Sequence, residues 1–299
     1  MLRQSWDFEQ GAEIAPGRAV LKPIGGGNAY EVLLVWDERL HSISVAKVLR
    51  PNRTDSERDL RHLREEAEIL ETLAHPMIVR LFDPVLEGEH PHLMIEHLEG
   101  PSLRRLIRRG GPLPVQQVLP LSLSLAGALH YLEQMEIVHL DVKPDNVIMG
   151  VPPRLIDLSI ARTHEQARRV RTPIGTDAYM SPEQCDPEGM AGGTGPASDV
   201  WGLGATLHHA LSGEVPFALQ PGASNGDRED PSLRFPQLSI GPAPLPEYLP
   251  EALVDLVLGM LAPDPAERPS AAEVAAELEP LVAELPAKLS LSRRRTRGW

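Results

Sequence analysis

The sequence predicts an α+β fold with a β-rich N-terminal part and a helical C-terminal part. Residues 19–36 form two β-rich runs around the glycine-rich stretch 25–29, which is the pattern of a hairpin. Residues 57–73 carry apolar side chains at helical spacing, and residues 115–134 form a long apolar helix. A chain of 299 residues is long enough for one large domain or for two lobes with a sizeable core.

Composition narrows the class of protein. A hydrophobic content of 42% is typical of a globular protein, and a net charge of -13 argues against a general nucleic-acid binder. No run of 18 or more apolar residues occurs, so no membrane span is expected. The first ten residues lack the basic start and apolar run of a signal peptide, and the single cysteine, Cys185, excludes an internal disulfide. We therefore expect a cytoplasmic protein.

The stretch 139–146, His-Leu-Asp-Val-Lys-Pro-Asp-Asn, carries the side chains that phosphoryl transfer requires. Asp141 would accept the proton of an attacking hydroxyl, and Lys143 would neutralise charge on the moving phosphoryl group. Asn146 would hold a metal ion against the phosphates. Aspartate and asparagine also serve turns and caps in ordinary polar loops, so this interpretation depends on the rest of the chain.

This stretch resembles the catalytic loop H-R-D-x-x-x-x-N of the bacterial eukaryotic-like (Hanks-type) serine/threonine protein kinases. Further motifs of that family follow in the same order, over about residues 21–280. The resemblance implies a bilobal protein-kinase fold, with an N-lobe at 19–98 and a C-lobe at 99–285. Residues 1–18 would then be an N-terminal leader, and residues 286–299 a basic C-terminal tail.

The resemblance also implies an ATP site between the lobes. Lys47 lies in a strand similar to the V-A-I-K motif and would bind the α and β phosphates, while Glu66 would pair with it. Ala46 would face the adenine, and Ile95 would be the gatekeeper residue. The residues implied to contact ATP are Ile24, Gly25, Gly26, Gly27, Val32, Ala46, Lys47, Ile95, Glu96 and Leu98.

Two further segments complete the implied site. Asp157 stands at the metal-binding position of D-F-G, so that it and Asn146 would hold Mg²⁺, with Mn²⁺ as an alternative. The stretch 175–183, Gly-Thr-Asp-Ala-Tyr-Met-Ser-Pro-Glu, resembles the peptide-docking segment of bacterial kinases. The resemblance further implies that Thr176 contacts Asp141 and Lys143 and that Thr172 lies in the activation segment. It also implies that Glu183 forms an ion pair with Arg268 and that Asp199 caps the catalytic loop.

The resemblance implies an enzyme that transfers the γ-phosphoryl group of ATP to Ser or Thr hydroxyls of a protein substrate. The sequence departs from the family pattern at Tyr30 (third glycine), Leu140 (the Arg of H-R-D, making a non-RD kinase) and Ser159 (the Gly of D-F-G). These departures leave a pseudokinase, a nucleotide-binding scaffold or sensor, as the alternative. A small-molecule kinase of related fold is disfavoured, because the stretch 175–183 resembles a segment that docks peptides.

Overall fold

A β-sheet lobe and a helical lobe follow one another along the chain in the computed structural model of the protein. The structure describes residues 4–190, 192–218 and 234–286. The basic tail predicted at 286–299 lies outside the described residues, apart from residue 286. The predicted bilobal α+β architecture is confirmed.

The first lobe is built on a six-stranded antiparallel sheet in the order β1-β2-β3-β4-β6-β5. The strands are β1 Glu13–Ala15, β2 Arg18–Gly26, β3 Tyr30–Asp37, β4 Ser42–Leu49, β5 Leu81–Val85 and β6 His92–Glu96. Successive side chains point to opposite faces of a strand. In β3, Leu33 and Val35 therefore enter a small core on one face, whereas Val32 and Leu34 face the cleft between the lobes.

The segment predicted as a leader contributes β1 and the first residue of β2 to this sheet, and aromatic residues before β1 pack against it. Trp6 and Phe8 pack on the small core, and the Trp6 indole donates a hydrogen bond to the Leu49 carbonyl at 2.7 Å. This contact covers one face of the sheet with aromatic surface.

Helix α1, Glu57–Thr72, lies between β4 and β5. Among the described residues of this lobe, the one other helical segment is a short 3₁₀ turn, Pro51–Arg53. Ser56 caps its first turn by accepting a hydrogen bond from the Asp59 backbone N–H. The stripe that faces the core consists of Leu63, Ala67 and Leu70, and Glu66 lies buried beside them. The apolar spacing of α1 thus places one carboxylate between a helix and the sheet.

The second lobe surrounds one buried helix, α6. The helices of this lobe are α2 Leu103–Gly110, α3 Val115–Gln134, α4 His164–Arg168, α5 Pro182–Cys185, α6 Pro196–Ser212, α7 Glu251–Met260 and α8 Ala271–Ala283. Two small sheets pair β7 Ile137–Val138 with β10 Arg162–Thr163, and β8 Val147–Ile148 with β9 Arg154–Leu155. Gly202 in α6 permits close approach of Val142, whose Cβ would lie 3.0 Å from an added side chain.

No helix in the described ranges 4–190, 192–218 and 234–286 combines the length and apolar character needed to cross a membrane.

A buried ion pair joins two distant segments of the second lobe. Arg268 donates to both carboxylate oxygens of Glu183 at 2.7 and 2.9 Å, and both side chains are 0% exposed. The hydroxyl of Ser198 donates to Glu183 at 2.7 Å, and the guanidinium lies over the ring of Trp201. Because further hydrogen bonds reach three backbone carbonyls, the Arg268 charge is fully solvated by protein.

Replacing Arg268 with alanine should lower the free energy of unfolding by about 3–5 kcal/mol, because Glu183 would keep a buried charge without a cation beside it. Urea unfolding followed by tryptophan fluorescence measures this loss. The control is Arg169→Ala, which removes an exposed pair whose side chains are 73% and 74% exposed. That change should stay within about 0.5 kcal/mol. Equal losses in the two variants would contradict the prediction.

Candidate active site

A cavity of about 860 Å³ opens between the two lobes, large enough for a cofactor-sized ligand. Its walls come from β2, β3 and β4 on one side and from residues 95–100 and 156–157 on the other. Among the residues implied to contact ATP, the ones that line it are Ile24, Val32, Lys47, Ile95, Glu96 and Leu98. Glu66 and Asp157 line it as well.

The expectation that Ala46 faces the adenine is wrong. Ala46 is fully buried in the small core on the other face of the sheet, and Val45 lines the cavity instead. The physical reason is the two-residue period of a strand, which places Val45 on the same face as Lys47. The three glycines, Gly25 to Gly27, do not line the cavity either: Gly25 and Gly26 end β2 and pair with β3, and Gly27 begins the turn between the two strands.

Lys47 is bound by two carboxylates. Its Nζ donates to both oxygens of Glu66 at 2.7 and 2.8 Å and to Asp157 Oδ1 at 2.7 Å. Burial alone would lower the pKa of Lys47, but Asp157 and Glu66 raise that pKa well above its usual value. Burial would likewise raise the pKa of Asp157, yet the Lys47 ammonium holds it well below its usual range. A hydrogen bond from Ser159 acts in the same direction, so the structure keeps both charges.

The catalytic-loop residues meet the segment 175–183 in a compact hydrogen-bonded group. Lys143 Nζ donates to Asp141 Oδ2 at 2.6 Å and to Thr176 Oγ1 at 2.7 Å. The Thr176 hydroxyl donates in turn to Asp141 Oδ1 at 2.7 Å. The implied contact of Thr176 with Asp141 and Lys143 is therefore present in the structure.

The backbone of the catalytic loop is held by one buried carboxylate. Asp199, in the first turn of α6, accepts the N–H groups of His139 and Leu140 at 2.6 and 2.7 Å. Burial raises the pKa of Asp199 to about 7, although the two backbone hydrogen bonds lower it. Leu140 has a φ of +64°, a left-handed conformation that is uncommon for a non-glycine residue. The Asp199 contacts hold the loop in this shape.

Asn146 and Asp157 offer a donor set suited to a hard divalent cation. Asn146 Nδ2 donates to the Asp141 carbonyl at 2.9 Å and to Asp141 Oδ2 at 3.1 Å, which leaves its amide oxygen as the atom able to bind a cation. The Asp157 side chain is 38% exposed towards the cavity, so its carboxylate is accessible. Oxygen ligands of these two kinds are those that Mg²⁺ and Mn²⁺ prefer.

An apolar cluster occupies the space around Leu140. Val138, Leu140 and Ala167 are buried together, with Ile160 and Ile174 packed against them. The segment that follows Asp157 is also tied down by the pairing of β10 with β7 and by helix α4, whose cap is Thr163. Thr172 is exposed. Apolar contacts thus order this segment in the structure described here.

Tyr30 lies inward from the glycine turn, against Lys47. The Lys47 Nζ is 4.6 Å from the centroid of the Tyr30 ring, and the ring also packs against a second cluster of buried apolar side chains that includes Leu49 and Leu63. Burial raises the pKa of the Tyr30 phenol well above its usual value. The Tyr30 ring therefore covers one side of the Lys47 ammonium, which lines the cavity between the lobes.

Sequence reasoning missed a second group, beside the segment 175–183. Arg104 Nη1 donates to the Tyr179 hydroxyl at 2.9 Å, and that hydroxyl lies 2.6 Å from His209 Nδ1. Burial lowers the pKa of His209 to about 4, so the imidazole that shares this hydrogen bond is neutral near pH 7. These residues come from α2, the segment and α6, and no local pattern connects them.

Comparisons with known proteins agree with this geometry. Residues 18–278 match the family model described as protein kinase domain. The chain is 32% identical over 268 residues to serine/threonine-protein kinase PknB of Mycobacterium leprae, covering 85% of this chain and 41% of that protein. It is 31% identical to serine/threonine-protein kinase pkn2 of Myxococcus xanthus (86% of this chain, 31% of that protein). It is 27% identical to serine/threonine-protein kinase PrkC of Bacillus subtilis (88% and 40%).

The chain spans between 31% and 41% of the length of these three relatives, so the match concerns one part of each. Members of this family use ATP and a divalent metal ion. The match extends over both lobes and includes every segment that meets in the cleft. The chain therefore belongs to the protein kinase family, as a bacterial serine/threonine kinase domain of the Hanks type.

Proposed function

We propose that the chain transfers the γ-phosphoryl group of ATP to Ser or Thr hydroxyls of a protein substrate. The observation that carries this proposal is the position of Lys47, which is bonded at once to Glu66 and to Asp157. Those contacts join the sheet, helix α1 and the second lobe around one ammonium. A nucleotide in the cavity would meet this charge at its phosphates.

In this proposal, residues on the two sides of the cleft would have different roles in phosphoryl transfer. Lys47 would bind the α and β phosphates, and Asp141 would orient the acceptor hydroxyl and take its proton. Lys143, already bonded to Asp141 and Thr176, would place positive charge beside the transferred group. Mg²⁺, or Mn²⁺ in its place, would neutralise the phosphate oxygens while held by Asp157 and Asn146. Most of the rate would come from positioning and charge stabilisation.

The pseudokinase remains as the second candidate, on the observation that the Tyr30 ring covers Lys47. The other two departures leave the charged groups in place. Leu140 fills an apolar cluster, and Ser159 hydrogen-bonds to Asp157. None of the three removes a side chain that performs chemistry, which supports the active enzyme.

The partners follow from the same chemistry. They would be ATP and a protein that presents a Ser or Thr hydroxyl at Asp141. A net charge of -13 disfavours nucleic acid as a partner. We place the reaction in the cytoplasm, where ATP is available, and the single Cys185, buried and unpaired, fits a reducing compartment.

The test is transfer of phosphate to a mixed acceptor protein by the purified chain with Mg-ATP, read as added mass on the acceptor. The Asp141→Asn variant should lose activity by about 100-fold or more, because the amide cannot accept the acceptor proton. Thermal unfolding of both forms checks that the variant is folded. Absence of transfer by the folded wild-type chain would favour the pseudokinase.

Phosphorylation of the activation segment should not be required for activity. The Arg that would pair with a phosphate is replaced by Leu140, whose apolar cluster already orders the segment. The double variant Thr163→Ala, Thr172→Ala should keep its transfer rate within about threefold of wild type, since no phosphate contact is lost. A folded double variant without transfer would reject this idea. Thr163 also caps α4, so Thr172→Ala alone is the second comparison.

Removing the Tyr30 ring should strengthen nucleotide binding. Tyr30→Ala uncovers the Lys47 ammonium. In the wild type, phosphates that bind Lys47 would displace its cation–π contact with Tyr30, which contributes about 0.5–2 kcal/mol at a partly buried site. The variant has no such contact to lose. We expect affinity for ATP to rise by about two- to tenfold, measured with a fluorescent ATP analogue. Tyr30→Phe keeps the ring and should bind as wild type does. Weaker binding by Tyr30→Ala would show that the ring supports the bound nucleotide.

A further inference from the structure

Helix α2 carries a stripe of arginines and no acidic residue. The stripe consists of Arg104, Arg105, Arg108 and Arg109, in the sequence Leu-Arg-Arg-Leu-Ile-Arg-Arg-Gly. Leu103 and Ile107 are buried on the opposite side of the helix. Arg104 is half-buried, and the other three arginines are exposed.

The helix itself gains little from these charges. Arg104 and Arg105 lie in the first turn, where the helix dipole disfavours cations. Arg104 and Arg108, and likewise Arg105 and Arg109, are like charges four residues apart, which destabilises a helix. Only Arg108 and Arg109, in the last turn, suit the dipole. An explanation for the first-turn arginines must therefore come from outside the helix.

No carboxylate within the described ranges pairs with any of the four guanidinium groups at salt-bridge distance. Arg104 is bonded to the Tyr179 phenol, and that phenol is bonded to the neutral His209. Those contacts orient Arg104 without cancelling its charge. The stripe thus presents four guanidinium groups without a salt bridge among the described residues, in a chain whose net charge is -13.

The stripe begins beside the proposed acceptor position. Arg105 lines the same cavity as Lys47 and Asp157. Arg104 contacts Tyr179, three residues after Thr176, whose hydroxyl is bonded to Asp141. A peptide with its hydroxyl at Asp141 would therefore pass within reach of the first turn of α2.

We propose that the α2 arginines select protein substrates with Asp or Glu residues beside the acceptor Ser or Thr. This proposal rests on the proposed kinase activity and names its substrate class. A short acidic segment fits better than a nucleic acid, because the arginines lie on one helix of 8 residues. A longer polyanion would extend past them to the exposed carboxylates of Glu99 and Asp145, which would repel it. Arg105 and Arg108 are the specificity-determining residues, since Arg104 is already engaged by Tyr179.

The experiment compares three peptides that share one Ser acceptor and carry flanks of Asp and Glu, of Ala, or of Lys and Arg. Wild type should favour the acidic over the basic peptide by at least about fivefold in kcat/KM, mainly through a lower KM. The double variant Arg105→Glu, Arg108→Glu should remove or reverse that preference. Glutamate at position 105 suits the first turn of the helix, whereas glutamate at position 108 lies in the last turn, where the dipole disfavours an anion. Thermal unfolding therefore checks that the variant is folded.

The control is Arg39→Glu, which reverses the charge of one exposed arginine in the turn between β3 and β4, away from the cavity. It should keep the wild-type preference. A second variant, Arg105→Lys with Arg108→Lys, keeps the positive charge. It should retain most of the preference if the charge selects the peptide. If the arginines acted only through their own packing, lysine would not preserve the preference. The ratio between peptides does not depend on any change in ATP binding, because all three share one nucleotide concentration.

Binding of a fluorescent acidic peptide, followed by anisotropy, separates this proposal from the proposed activity. Transfer without an acidic preference would overturn the α2 proposal alone. Absence of transfer by a wild-type chain that binds the acidic peptide, with binding lost in the double glutamate variant, would overturn the kinase activity and support the arginine surface. Absence of both binding and transfer would overturn both.

Discussion

The two hydrogen bonds that Asp199 accepts from the catalytic loop are the contact on which the rest of the site depends. They hold His139 and Leu140 against the start of α6, including the left-handed backbone at Leu140. A loop with such a conformation is stable only where its surroundings determine it. Because α6 is buried along most of its length, the loop takes its position from the most rigid part of the second lobe. Asp141 follows these two residues directly, so the same contacts fix the position of its backbone.

The same helix contacts several other segments of the second lobe. Ser198 donates to Glu183 of the buried ion pair, and Trp201 lies under Arg268. Gly202 lets Val142 approach, and His209 shares a hydrogen bond with Tyr179 in the segment 175–183. A helix whose side chains are nearly all buried has little freedom to move. The proposed chemistry therefore rests on a fixed lobe, while the sheet lobe reaches it through Lys47.

Apolar packing orders one segment of this protein, whereas charge is concentrated on another. Leu140 and its apolar neighbours hold the segment after Asp157, where charge-assisted contacts to a phosphate would otherwise act. Conversely, α2 concentrates positive charge that the fold does not neutralise. The apolar cluster contains no group that phosphorylation modifies, whereas the guanidinium groups of α2 form no salt bridge within the described residues and could bind an acidic partner. In the proposed function, the ordering of this segment and the recognition of the substrate would therefore depend on different parts of the lobe.

The sequence by itself determined the family, the order of the lobes and most residues of the candidate site, because these are carried by short motifs whose internal spacing is local. The tertiary structure alone decided which face of β4 meets the cavity. That strand is buried on both faces, so its apolar run has no alternation from which to separate Val45 from Ala46. It also decided that the Tyr30 ring covers Lys47 and that Arg104 reaches Tyr179. Those contacts join residues far apart in the chain, and side-chain packing rather than any local pattern brings them together.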